Sequence, residues 1–143
     1  IMEIFVKKLN PNAKIPTFAH EDDACADLYS DSNFIINPNE IILVSTGIAL
    51  QINNGWEAQI RPRSGLSYKH GLLILNSPGT IDSGYRGEIK IIIKNTMNKP
   101  YEIKKGSRIA QIAIRPVPKI TFLEKDSLDD TKRGDGGFGS TGI

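Results

Sequence analysis

Three stretches of this chain carry side chains that could do chemistry. The first runs Asn76-Ser77-Pro78-Gly79-Thr80-Ile81-Asp82-Ser83-Gly84-Tyr85-Arg86-Gly87-Glu88. Pro-Gly and Ser-Gly pairs punctuate it, so it reads as a hairpin leading into a strand that starts at Glu88. Asp82 is a carboxylate in an apolar-flanked turn, placed to polarise a water; a turn aspartate satisfying its own backbone would look the same. The second is Pro62-Arg63-Ser64-Gly65-Leu66. A guanidinium, a hydroxyl and free N–H groups ahead of a short helix suit an anion, although a capped surface turn has the same composition. The third is Arg133-Gly134-Asp135-Gly136-Gly137-Phe138-Gly139-Ser140-Thr141-Gly142. Its glycines let backbone N–H groups turn inward as an anion-binding nest. Ser140 and Thr141 add hydroxyls, and Arg133 adds a two-pronged fork for phosphate. Phe138 has no core to enter and can stack on a base. A disordered linker end stays open as the other reading. Gly134, Gly136 and Gly139 also match a dinucleotide fingerprint, but no strand-to-helix unit accompanies them.

The elements that must position these residues are short strands. Thirteen glycines and eight prolines leave little room for helices. Between them lie β-branched runs at 3–7, 34–37, 41–44, 48–52, 56–60, 88–94, 108–114 and 120–123. Ile89, Ile91 and Ile93 alternate with Lys90, Ile92 and Lys94, which gives a strand one fully apolar face. The run from Ile109 to Ile114 reads as buried on both sides. The one expected helix is short, around Gly65–His70. Many short strands at turn-marked spacing predict an all-β barrel or sandwich. The glycine-rich segment at the C-terminal end predicts an arm that is mobile when empty.

At 143 residues, with 39% hydrophobic and 24% charged side chains, the composition is that of one globular domain. No run reaches the roughly 18 apolar residues a membrane helix needs. No basic and then apolar leader is seen, so the expected location is cytoplasmic. Eighteen basic against sixteen acidic residues is too small a surplus for a dedicated nucleic-acid binder. One cysteine, Cys25, and two histidines, His20 and His70, argue against disulfide and structural zinc chemistry. Bland roles suit the remaining conspicuous residues: packing for Trp56, exposed or turn positions for the histidines, a small filler for Cys25, and a solvated strand end for Lys104 and Lys105. A β-rich chain of this size has edges to cover, which favours oligomerisation.

These residues together give the chain a resemblance to the trimeric deoxyuridine triphosphate nucleotidohydrolases (dUTPases). Five motifs of that family occur in order between Ala24 and Gly142. They are Ala24-Cys25-Ala26-Asp27-Leu28, the Pro62–Leu66 segment, Gly79–Glu88, Gly106-Ser107-Arg108-Ile109-Ala110-Gln111, and the Arg133–Gly142 arm. Each is weak alone; five in order are specific. The resemblance implies a distorted, jelly-roll-like β-barrel over residues 1–132 with a flexible arm over 133–143, assembled as a homotrimer whose sites are shared between subunits. It implies hydrolysis of dUTP to dUMP and pyrophosphate, which limits uracil in DNA and supplies dUMP. Asp82 matches the general base, and Tyr85 the aromatic that leaves no room for a 2′-hydroxyl. Asn76, Thr80, Ile81 and Lys90 match the uracil-reading edge, and Arg63, Ser64, Gly65 and Gln111 the phosphate contacts. Arg133 would hold the γ-phosphate, Phe138 would cover the base, and Gly139, Ser140 and Thr141 would close over the phosphates. Asp27 matches the acid that holds hydrated Mg²⁺ indirectly, the ion itself riding on the substrate phosphates.

Cys25 and Ser107 depart from the family pattern, which usually has glycine and aspartate there. Ser107, just before Arg108, removes a salt bridge there, which bears on local stability more than on chemistry. The implied mechanism is physically coherent. Arginines and the cation neutralise a triphosphate, and a carboxylate within about 3 Å of a water takes its proton as it attacks phosphorus. A tight base pocket rejects thymine by its methyl group and cytosine by its reversed edge pattern. Two other readings are a dCTP deaminase of the same fold and a non-catalytic β-barrel nucleotide-binding module.

Overall fold

The computed structural model of the chain describes residues 1–142. Its strands are β1 (Phe5–Lys8), β2 (Ala26–Tyr29), β3 (Phe34–Ile36), β4 (Ile41–Gln51) and β5 (Trp56–Arg61). The helix α1 (Ser64–His70) follows, and then β6 (Leu72–Ile74), β7 (Gly79–Ile81), β8 (Glu88–Asn95), β9 (Tyr101–Ile103) and β10 (Arg108–Pro116). One four-stranded sheet runs β1-β4-β8-β6, a second runs β2-β10-β5-β7, and β3 pairs with β9. All pairings are antiparallel. The sheets face each other in a jelly-roll-like arrangement and do not close into a continuous barrel. Ile143, the last residue of the expected arm, lies outside the described residues.

The apolar alternation seen in the sequence is what fills the space between the sheets. Ile89, Ile91 and Ile93 of β8 are buried while Lys90 faces out. They join Leu28, Val44, Ile48, Ala58 and Ala110 in one core. The strand β10 is buried on both faces from Ile109 to Ala113 apart from Gln111, as its sequence suggested. Asn95 closes β8 in full burial. Its amide donates to Ile36 O (2.9 Å) and Lys99 O (2.8 Å), and its Oδ1 accepts from Met97 N (2.9 Å). Among the described residues every buried side-chain nitrogen or oxygen has a hydrogen-bond partner, as burial of polar groups requires.

Two expectations are corrected. The runs at 41–44 and 48–52 are one long strand, because a register shift between Ser45 and Ala49 absorbs the break at Gly47. Gly47 has φ +70°, a left-handed conformation that side chains resist. The segment Ile120–Leu123 is not a strand. Pro116 and Pro118 lack amide donors just ahead of it, and it pairs with no sheet edge of its own chain. Its Ile120, Phe122 and Leu123 are 69%, 92% and 77% exposed. Strands β2, β6, β7 and β9 are short enough that their apolar pattern is not distinct in the sequence.

Candidate active site

The loop carrying Asp82 bridges the two sheets. β7 pairs with β5 through Ala58–Ile81, Gln59–Thr80 and Ile60–Gly79. β8 pairs with β4 and β6 instead. The expected hairpin is therefore a crossing from one sheet to the other. A cleft of about 230 Å³ opens at the crossing, and Asn76, Thr80, Ile81, Asp82, Tyr85 and Lys90 all line it. Ile60, Ile74, Ile89 and Ile91 complete its apolar wall.

The loop is braced by its own side chains. Arg86 Nη1 donates to Ser83 O (2.7 Å) and to Tyr85 O (3.1 Å). Tyr85 Oη donates to Glu88 O at 2.9 Å, which lays the ring along the loop. Position 87 must be glycine for this to happen, since a Cβ there would sit 2.4 Å from Tyr85 Oη and 2.6 Å from Cζ. Asp82 is exposed, and among the described residues no hydrogen bond or ion pair engages its carboxylate. The turn does not consume it, so its lone pairs remain available to a water or ligand.

A second group forms on the sheet that carries β2, β10 and β5. Gln111 lies opposite Asp27 on one side and Arg61 on the other. Its Nε2 donates to Pro62 O at 2.9 Å, tying β10 to the start of the loop before α1. Arg63 Nε donates to Asp27 Oδ1 at 3.1 Å. Arg108 Nη1 lies 3.9 Å from Asp27 Oδ2. Thus Arg108, next to the departure at Ser107, has an acidic neighbour after all. Arg63 occupies the N-cap of α1 with extended backbone, and Ser64 and Gly65 stand exposed on the first turn. The Nη atoms of Arg63 have no partner among the described residues, which leaves the flat end of the fork for an anion. Cys25 is half-buried, with Arg61 Nη1 4.0 Å from its sulfur.

The arm is the third group. Val117 N donates to Gly55 O at 2.8 Å, the last backbone bond to the sheets. Beyond it the hydrogen bonds of residues 131–142 stay within the segment. Arg133 Nε reaches Gly136 O (3.1 Å), Gly134 N reaches Thr131 Oγ1 (3.0 Å), and Ser140 N reaches Gly137 O (3.0 Å). Phe138 is fully exposed. One chain therefore assembles the Asp82 cleft but does not bring the other two groups to it. Arg63, Ser64, Gly65, Gln111 and the arm residues Arg133, Phe138, Gly139, Ser140 and Thr141 do not line that cleft. Sequence reasoning passed over Gly87, Glu88 and Arg108 as individual contributors. All three lie inside the motifs, yet only the fold shows what each one touches.

The family model of the dUTPases matches residues 11–142. The deoxyuridine 5′-triphosphate nucleotidohydrolase of Nautilia profundicola is 52% identical over 141 residues, 99% of each chain. That of Clostridium kluyveri is 50% identical over 141 residues, again 99% of each chain. The dUTPase of Staphylococcus bacteriophage 80alpha, solved with dUpNHpp, superposes with a TM-score of 0.92 at 30% identity over 99% of both chains. A phage phi11 dUTPase variant that coordinates a structural Mg(II) ion superposes with a TM-score of 0.84 at 26% identity, over 90% of this chain and all of the other. These similarities favour a hydrolase over a deaminase or a non-catalytic module.

Proposed function

This chain belongs to the dUTPase family and hydrolyses dUTP, and on that premise we propose how its residues divide the work. The observation that carries the assignment is the unengaged carboxylate of Asp82 on a cleft shared with Asn76, Lys90 and Tyr85. Asp82 is the general base. It orients a water and takes its proton as the water oxygen bonds to the α-phosphorus. The bond from that phosphorus to the bridging oxygen breaks, and the oxygen keeps the electron pair and departs with pyrophosphate. The remaining product is dUMP.

The cleft supplies the selection. Asn76 and the backbone around Thr80, Ile81 and Lys90 read the uracil edge. Fixed, partly buried donors and acceptors make a mismatched edge costly, because groups left unpaired forfeit their hydration. The ring of Tyr85, pinned through Glu88 O, is the wall against the deoxyribose. Arg63 with Ser64 and Gly65 provides an anion seat, and Gln111 holds that seat in place through Pro62 O.

Asp27 fits a role toward Mg²⁺ at one remove. Among the described residues no group of three or more His, Cys, Asp or Glu side chains could hold a metal directly. Asp27 Oδ1 is taken by Arg63, but Oδ2 has only the long contact to Arg108 and keeps acceptor capacity for a water of a hydrated cation. A cation carried by the substrate phosphates would draw charge from the reacting phosphorus. Asp27 and Arg63 then orient the phosphates between them.

The complete site is intermolecular. Among the described residues the hydrogen bonds of 131–142 stay within that segment, and the Ile120–Leu123 run lies uncovered. Both follow if the chain works as a homotrimer, with the arm closing over a neighbouring subunit's Asp82 cleft. Arg133 then meets the γ-phosphate, Phe138 stacks on the base, and Gly139, Ser140 and Thr141 donate to the phosphates while water is expelled. The direct test offers dUTP, dCTP, dTTP and UTP with Mg²⁺ to the wild type and to Asp82→Asn, and identifies the products. Pyrophosphate and dUMP from dUTP alone are expected. The Asp82→Asn chain should lose at least about 10²-fold in kcat with little change in KM, the usual scale for a lost general base. Near-normal turnover in that variant removes Asp82 from the role.

A further inference from the structure

One buried carboxylate plays no part in the reaction as assigned. Asp31 lies just beyond β2 and is 6% exposed. Its Oδ1 accepts from Ser32 Oγ (3.0 Å) and from Ser45 Oγ, and its Oδ2 accepts from Asn10 Nδ2 (2.7 Å). Its own amide donates to Ser45 O at 3.1 Å. Burial alone would push the carboxyl up. The hydrogen bonds from Ser45, Asn10, Ser32 and the backbone outweigh burial and hold it below the ordinary aspartate range. The surroundings are built for the charged form.

This carboxylate sits against the bulge of β4. A Cβ at Gly47 would come within 2.7 Å of Asn10 Nδ2 and 2.8 Å of Asp31 Oδ2, so both polar groups press directly on the bulge backbone. From the other side, Gly47 N donates to Glu88 Oε2 at 3.2 Å, and Thr46 Oγ1 donates to Ile89 O. Glu88 in turn offers its carbonyl to Tyr85 Oη. A continuous chain of contacts therefore runs from Asp31 through Gly47 and Glu88 to the tyrosine in the cleft. The donors to Asp31 come from three separate segments, so loss of the carboxylate would release the bulge and not a single bond.

We propose that Asp31 is a positioning residue for sugar selection, setting the Tyr85 ring through the Gly47 bulge and Glu88. This rests on the assignment of Tyr85 as the wall against the sugar. The test compares kcat/KM for dUTP and for UTP in wild type, Asp31→Ala, Tyr85→Ala and the double variant, with melting curves for each. Asp31→Ala should lower the dUTP-to-UTP ratio by about three- to tenfold and leave kcat for dUTP within about twofold. In the Tyr85→Ala background the same change should narrow the ratio no further, since both act through one ring. A ratio unchanged by Asp31→Ala while Tyr85→Ala narrows it overturns the proposal and leaves the assignment of Tyr85 standing. Independent, additive effects overturn it as well. If Tyr85→Ala leaves the ratio unchanged, the assignment of Tyr85 fails and the proposal falls with it. Should Asp31→Ala not fold, Asn10→Ala and Ser45→Ala each remove one donor and keep the carboxylate. Unchanged ratios in both would refute the coupling.

Discussion

Replacing Gly87 by alanine tests the placement of the Tyr85 ring without touching the ring itself. The backbone at 87 does not have positive φ, so alanine is free to adopt it. The nearest obstacle is the tyrosine: the added Cβ would lie 2.4 Å from Oη, 2.6 Å from Cζ and 3.0 Å from Cε1. Contacts this short must be relieved. Tyr85 is 45% exposed, so the ring can swing toward solvent while the strands stay in place. The stability lost is then little more than the Tyr85–Glu88 hydrogen bond, about 0.5–1.5 kcal/mol. For a chain of this size that lowers Tm by roughly 2–6 °C. The effect on selectivity should be larger in proportion. A steric wall against one hydroxyl is worth on the order of 10²-fold at most, and Gly87→Ala should forfeit much the same share of it as Tyr85→Ala. The assay is pyrophosphate release from dUTP and UTP across a concentration series, alongside thermal unfolding. Tyr85→Phe, which loses the hydroxyl and keeps the ring, should fall between. A folded Gly87→Ala protein with an unchanged dUTP-to-UTP ratio would show that the ring does not select the sugar from this position. A Tm loss beyond about 10 °C would show that the clash is relieved through the backbone instead.

Four further outcomes are expected. A chain ending at Lys132 should keep its Tm and oligomeric state but lose most turnover, because among the described residues 133–142 make no hydrogen bonds to the sheets; full activity would reduce the arm to a linker. Mixing that truncation with Asp82→Asn should restore some activity once mixed oligomers are verified, since some sites then pair an intact arm with an intact base, and verified mixed oligomers that stay inactive would place each arm on its own subunit's Asp82. Asn95→Ala removes one buried and two partly buried hydrogen bonds and leaves the buried Ile36 carbonyl unpaired, so it should destabilise by about 2–4 kcal/mol in denaturant titrations; a loss under about 1 kcal/mol would mean that water replaces the amide. Asp31 binds its proton less readily folded than unfolded, so its contribution is complete above the unfolded pKa, near 3.9, and disappears as pH falls through the lower folded value. Asp31→Asn should therefore flatten the acid limb of stability against pH, and an unaltered limb would assign acid unfolding to other carboxylates.

Much of the chemistry was legible from residue types and order. Ile89, Ile91 and Ile93 announced a half-buried strand because period-two alternation is a local property of the chain. The glycines of the arm and of the Asn76–Glu88 segment marked both stretches as turn-rich, since a backbone that must turn tightly restricts residue choice at each position. Asp82 and Tyr85 fall inside that segment, and the fold puts them on one cleft with Asn76, Thr80, Ile81 and Lys90. Tertiary structure decided what depended on residues distant in sequence. Whether Ile81 and Glu88 pair with each other or with different sheets is a competition between edges that local pattern does not rank. The seat of Arg63 depends on Asp27, thirty-six positions away, and the need for glycine at 87 depends on where the Tyr85 ring comes to lie. The run at Ile120–Leu123 has strand character in its sequence and no strand partner among the described residues. Propensity is carried within a segment, whereas pairing, ion-pair geometry and steric fit belong to the neighbours that folding supplies.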